Sequence, residues 1–366
     1  LTASRILLEN VPKVGFYDPS RGTAPEDVPF PSCLAAAARY LGADLPWLPQ
    51  PKGAPVNYGY TLLLAASGMA WGLRWKAGWQ PDNVDHMFIA DPGEIIRRAF
   101  GAVGYSYTML SRDGDPDGPG TGADEARFRT AIIDSLRRGV PVLAFGVVGP
   151  PECCLITGYD DDGAVLMGWN FFTQMPPFNA GLAFEPNGIF RKADWFPATH
   201  SLLLIGEPVA PAFDLSDTLR WAVTVARQER LWGHAVGHAA YSAWANQLKD
   251  DLSDLPEATL RERHDVHNSQ VGMLAECRFY GAEFLRYQAG LADPNMAAQL
   301  RQAAACFQAE HDLMWQVWDA AGGNGHPDAW ANFARPDVRQ AIIPLILAAQ
   351  EQARRGTDLL DIISAM

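Results

Sequence analysis

Residues 208–211, Pro-Val-Ala-Pro, divide the sequence into two stretches that cannot fold alike. Upstream, proline and glycine recur often and the apolar runs between them are short. Downstream, apolar residues return every three or four positions over 214–230, 235–251, 257–290, 296–321 and 336–363. That spacing lines one face of a helix. Asp-Leu-Pro, Asp-Pro and Gly-Gly signals separate the segments. The downstream part, 213–366, therefore reads as an antiparallel helical domain. A break is expected inside 257–290, and a kink at Pro344.

The upstream part is mixed. The run 32–42 predicts a helix with Ser32 as its cap and Cys33 in its first turn. A second helix is expected over 92–101, started by Asp91-Pro92, and a third over 124–138, while 111–123 reads as a loop. Strands follow over 141–148, 153–159 and 164–169, with Asp160-Asp161-Asp162-Gly163 as a turn, and further short strands at Phe190, Trp195 and 201–205. Helices first and an antiparallel sheet after them make an α+β domain over 1–210.

Composition narrows the function. Asp and Glu number 42 against 29 Lys and Arg, a net charge of −13, so neither nucleic acid nor an anionic membrane is the expected partner. The longest apolar runs, 60–64 and 341–349, are far too short to span a bilayer. Five cysteines, an odd count without a CxxC pair or a charged-then-apolar leader, point to reduced thiols and a cytoplasmic location. The 12 Trp, 10 Tyr and 17 Phe supply large cores and the walls of an apolar pocket.

One constellation carries chemistry. A cysteine in the first turn of a helix faces free amides and the positive end of the dipole, which favour thiolate and make a nucleophile. Cys33 is so placed in the expected helix; Ile156-Thr157-Gly158-Tyr159-Asp160 ends a later strand, and Asn170 follows the next one. In that order of pieces the chain resembles the papain-like superfamily, in its bacteriocin-leader-peptidase and butirosin-type acyltransferase branches. The helical remainder also resembles the C-terminal half of the butirosin-type group. The resemblance implies a papain-like domain with Cys33 as nucleophile and Asn170 orienting a base.

Where that pattern places its histidine, seven residues before Tyr159, this chain has Glu152, followed by Cys153 and Cys154. A carboxylate of pKa about 4.3 is a poor acceptor for a thiol proton of pKa about 8.5, and its charge raises a neighbouring thiol further. His86 and His200 are the other histidines of this part that could serve as base.

The expectation is a cleft protein with degenerate catalytic residues that binds a small molecule or peptide. Cys33, Glu152 and Asn170 form its reaction centre, and Cys153, Tyr58, Trp71 and Trp75 line the groove. An active Cys33-dependent amide or thioester hydrolase, or an acyltransferase, is the alternative. A second alternative is a metal held in the helical domain by His234 and His238, at i and i+4, with His264 and His267, at i and i+3. Glu229, Glu262, Glu276, Glu310 and His311 fall on neighbouring predicted helices. There is no HExxH or ExxH motif and no phosphate loop, so no cofactor is expected and structural roles for the four histidines are the simpler reading.

Overall fold

The computed structural model describes residues 4–50, 53–113, 120–252 and 254–366. The chain is α+β and divides into two units, Leu1–Tyr60 with Phe100–Ala212 and Thr61–Ala99 with Phe213–Met366. Residues 114–119 of the expected 111–123 loop lie outside the described residues.

The first unit is built on an antiparallel sheet. Among the described residues it has eight strands, in the order Tyr105–Ser111, Ser201–Pro208, Val142–Phe145, Cys153–Asp160, Val165–Trp169, Phe190–Lys192 and Ala183–Phe184, with Ile6–Leu7 against Cys153–Asp160. The strands expected over 141–148, 153–159, 164–169 and 201–205 are present, whereas Trp195 lies in irregular chain and donates to the Gly163 carbonyl at 3.1 Å. Cys153–Asp160 is buried on both faces, which is why it reads as an unbroken apolar run rather than an alternating one. Cys154, Ile156 and Tyr159 turn toward Phe128, Ile132 and Leu136 on the helix Gly122–Arg137. A register shift between Ile156 and Gly158 keeps Tyr159 on that face, where strict alternation would have placed Gly158. Cys153, on the opposite face, meets the helix Pro29–Tyr40.

That helix starts earlier than the sequence predicts. Val28 is its cap residue, Pro29 fills the first helical position, and the Ser32 amide already bonds the Val28 carbonyl at 3.2 Å. Proline is pre-set for the first position, so Pro29 displaces Ser32 as the start. Cys33 lies beyond the first turn.

The second unit includes 61–99, which the contiguous division into 1–210 and 213–366 assigns to the other side. The reason is aromatic packing. Trp71 lies against Phe307 and Phe284, and Trp75 stacks on Trp244 at 5.5 Å, so this stretch is core to the helices. Arg74–Trp75 also pairs with His234–Val236, which pairs with Arg230–Leu231. The helix expected over 235–251 is therefore shorter, His238–Gln247. Gly237 makes the corner between strand and helix at φ 55°, where any Cβ would strike the Ala226 and Gln228 carbonyls. The expected break in the long helix is absent: Glu257–Leu291 runs unbroken for 35 residues. Its Gly281 admits Trp71, whose ring would lie 2.8 Å from an added Cβ. The helices Pro294–Ala320 and Pro336–Ser364, the latter with Pro344 inside it, complete the packing. Among the described residues no helix is long and apolar enough to cross a membrane.

Candidate functional site

Cys33 is fully buried. Its Sγ donates to the Cys153 carbonyl oxygen at 3.6 Å. Being past the first turn, Cys33 lies among amides already committed to the helix, so the terminus does not present free donors to it. Cys153 and Cys154 are equally buried and point to opposite faces of their strand. Burial, with the neighbouring Cys33 thiol next in weight, holds the Cys153 thiol well above its ordinary range. Burial pushes Cys154 up to about 12. Cys153 and Cys154 are thus kept protonated at neutral pH.

Glu152 and Asn170 do flank adjacent antiparallel strands, immediately before Cys153–Asp160 and immediately after Val165–Trp169. Asn170 is buried, however, and spends its side chain locally. Its Nδ2 donates to Cys154 Sγ at 3.0 Å and its Oδ1 accepts from the Phe172 amide at 2.7 Å. Glu152 is half-buried, and its charge adds to the upward push on Cys153. The His86 Nδ1 lies 3.5 Å from Cys277 Sγ in the helical unit, and burial lowers that imidazole to about 4. The His200 Nδ1 lies 2.9 Å from Ser201 Oγ, its ring tilted against Phe145.

The groove lining is also redistributed. Tyr58 opens the helix Tyr58–Ser67, its amide bonded to the Pro46 carbonyl at 3.0 Å. Trp71 and Trp75 do not wall a groove of the first unit: both are buried core of the helical unit, because their flat rings fill space between helices. The four histidines do not converge either. His234 lies on a strand against Arg74 and Asp82, His238 bonds Thr357 Oγ1 at 3.1 Å, His264 pairs with Asp265, and His267 accepts from Trp244 Nε1 at 3.2 Å. Among the described residues, no group of three or more His, Cys, Asp or Glu is arranged to hold a metal.

A concavity does exist in the first unit, beside the C-terminal half of the Cys33 helix. It measures about 170 Å³ and its lining includes Lys13, Asp18, Arg21, Glu26, Arg39, Trp47 and Asn57. Asn57 organises one wall: its Nδ2 donates to Glu26 Oε2 at 3.3 Å, and its Oδ1 accepts from Arg39 Nη2 at 2.8 Å. The Arg39 guanidinium lies over the Trp47 ring at 4.7 Å. Burial pushes the Glu26 carboxyl up to about 7, against the opposing pull of Asn57 and Arg39.

No family model and no curated protein matches this chain. Its functional reading rests on this geometry. Sequence reasoning passed over the cavity because most of its lining comes from 12–26, irregular chain with no period to read. One signal was available: Arg39 is the only charged residue in the helix Pro29–Tyr40.

Proposed function

We propose that the chain is a papain-like cleft protein that has given up cysteine catalysis and binds a small molecule or peptide through its first unit. The observation that carries this reading is the state of Cys33, buried and held on the Cys153 carbonyl while Asn170 is committed to Cys154. A nucleophile must reach both its base and its substrate, and this thiol is buried with its proton directed to a backbone carbonyl. The papain-like part is supported by the order of elements: a cysteine helix, a strand ending in Gly158-Tyr159-Asp160, and a partner strand ending at Asn170.

The test is chemical. In the folded protein Cys33 should resist iodoacetamide over hours and form no acyl adduct with p-nitrophenyl acetate, read by intact-mass spectrometry. Cys33→Ala should leave ligand affinity within about twofold, since it touches no ligand. An acyl-Cys33 species, or turnover abolished by Cys33→Ala, establishes the hydrolase or acyltransferase instead.

A further inference from the structure

The cavity beside the Cys33 helix has a charge pattern unlike the chain that carries it. Against a net charge of −13, its lining brings together Lys13, Arg21 and Arg39 with only Asp18 and Glu26 opposing them. Arg21 closes the short helical turn Pro19–Arg21 and donates Nη1 to the Gly15 carbonyl at 3.2 Å. Gly15 leaves room for this approach, since a Cβ there would lie 3.1 Å from Arg21 Nη2. Among the described residues, the Nε of Arg21 is buried and has no hydrogen-bond partner. A guanidinium with N–H groups left over after a single backbone bond is suited to an occupant that brings acceptors. Across the cavity, Arg39 is held rigid by Asn57 and by the Trp47 ring, and Trp47 is itself partly exposed.

We propose that this cavity is a binding site for a small oxyanion-bearing molecule, a carboxylate or phosphate received by Arg21 and Arg39, with a flat apolar body laid beside Trp47. The assignment rests on the small-molecule reading of the first unit and supplies its ligand class. Guanidinium forks match planar or tetrahedral oxyanions, and a volume of about 170 Å³ suits a ligand of roughly benzoate size rather than a cofactor. Glu26 makes the site pH-sensitive. It faces Asn57, Arg39, Arg21 and Asp27, with Lys13 and Asp18 also on the lining, and its carboxyl takes up a proton near neutrality. Protonation removes a negative charge from the lining, so binding of an oxyanion tightens on acidification.

The experiment is calorimetric titration of the whole chain at pH 6 and pH 8 with benzoate, inorganic phosphate and benzylamine. The expected result is saturable binding of benzoate or phosphate, tighter at pH 6 by about fivefold or more, and none of benzylamine. Arg21→Gln should weaken it tenfold or more, with Arg21→Lys intermediate. Glu26→Gln should bring the pH 8 affinity up to the pH 6 value, a gain that a misfolded variant cannot give. A benzoate preference assigns a carboxylate with a planar body, and a phosphate preference assigns a phosphate group. Binding of neither anion, or anion binding unchanged by Arg21→Gln, overturns the proposal. Benzylamine binding lost in Glu26→Gln also overturns it while leaving the small-molecule reading standing. That reading falls separately, on an acyl adduct at Cys33.

Discussion

Each unit sets an arginine beside a glutamate, Arg278 buried and Arg21 half-buried, and the two arrangements differ in how many of the arginine's donors they satisfy. In the helical unit Arg278 gives Nε to Glu310 at 2.8 Å, Nη1 to the Ala70 carbonyl, and Nη2 to the Trp71 and Gly72 carbonyls at 3.2 Å and to Tyr241 Oη at 2.9 Å. Tyr241 in turn donates to Glu310 at 2.6 Å. Arg278, Glu310 and Tyr241 are all nearly inaccessible. In the first unit Arg21, half-buried on the lining of the cavity, keeps one backbone acceptor, and among the described residues its Nε has no partner. A buried cation whose donors are matched holds chain segments together; here it ties 70–72 to Glu257–Leu291 and Pro294–Ala320. A cation with an unmatched donor next to a cavity gains little for the fold and is suited to a partner that comes and goes.

The largest expected effect tests the closed cluster. Arg278→Ala leaves Glu310 buried without its counter-charge and three carbonyls without a donor, and should cost about 3–5 kcal/mol in urea unfolding. Replacing both partners, Arg278→Met with Glu310→Leu, should recover much of that loss, because apolar side chains of similar volume remove the unpaired charge. A loss below about 1 kcal/mol for Arg278→Ala would erase the contrast between the two units.

The next effect is on pH, and its sign differs between the units. Burial holds His267 down to about 3 from an ordinary 6.5. The unfolded chain therefore binds the extra proton within that window, so stability falls as pH drops from 6.5 toward 3. Between pH 7 and 4 the loss from this residue is about 3 kcal/mol. Glu26 is raised from 4.5 to about 7, so here the folded chain holds the proton and stability falls as pH rises through that window. With the carboxyl half-buried, the amount is about 1–2 kcal/mol. His267→Gln, which can still accept from Trp244 Nε1, should flatten the acid side of the stability profile, and Glu26→Gln the alkaline side. Variants acting on the opposite limbs would contradict these assignments.

The sequence was most legible where a local period decided the structure. The strands around Cys153 and Asn170 read as short apolar runs bounded by turns, and the downstream helices as three-to-four spacing, and both patterns are local. The site was less legible. Cys33 could be placed on a helix, but its depth depended on Pro29 displacing Ser32 as the start. The placement of Trp71 and Trp75 depended on Phe307 and Trp244, each more than 150 positions away. His234 and His238 shared a predicted helix face until Gly237 separated them. The Glu26–Asn57–Arg39 wall joins an irregular stretch, a two-residue strand and a helix. No single-segment pattern encodes such a meeting.

The smallest expected effect is the one that separates the two arginines most sharply. Without ligand, Arg21→Gln gives up one hydrogen bond, to the Gly15 carbonyl, and also removes a buried donor that has no acceptor. The first change costs about 0.5–1.5 kcal/mol and the second returns a comparable amount, since an unsatisfied buried donor carries a penalty of roughly 1–3 kcal/mol. The two should nearly cancel, leaving the urea midpoint of the free protein within about 0.5 kcal/mol of the parent, on either side of zero. Repeating the measurement with saturating benzoate should open a gap, because only the parent gains the linkage energy of a bound ligand, about 2.7 kcal/mol at a hundredfold excess over Kd. If Arg21→Gln instead lowers the free protein's stability by more than about 1.5 kcal/mol, Arg21 is a staple of the same kind as Arg278. Its unpartnered Nε would then be a tolerated defect rather than half of a binding site.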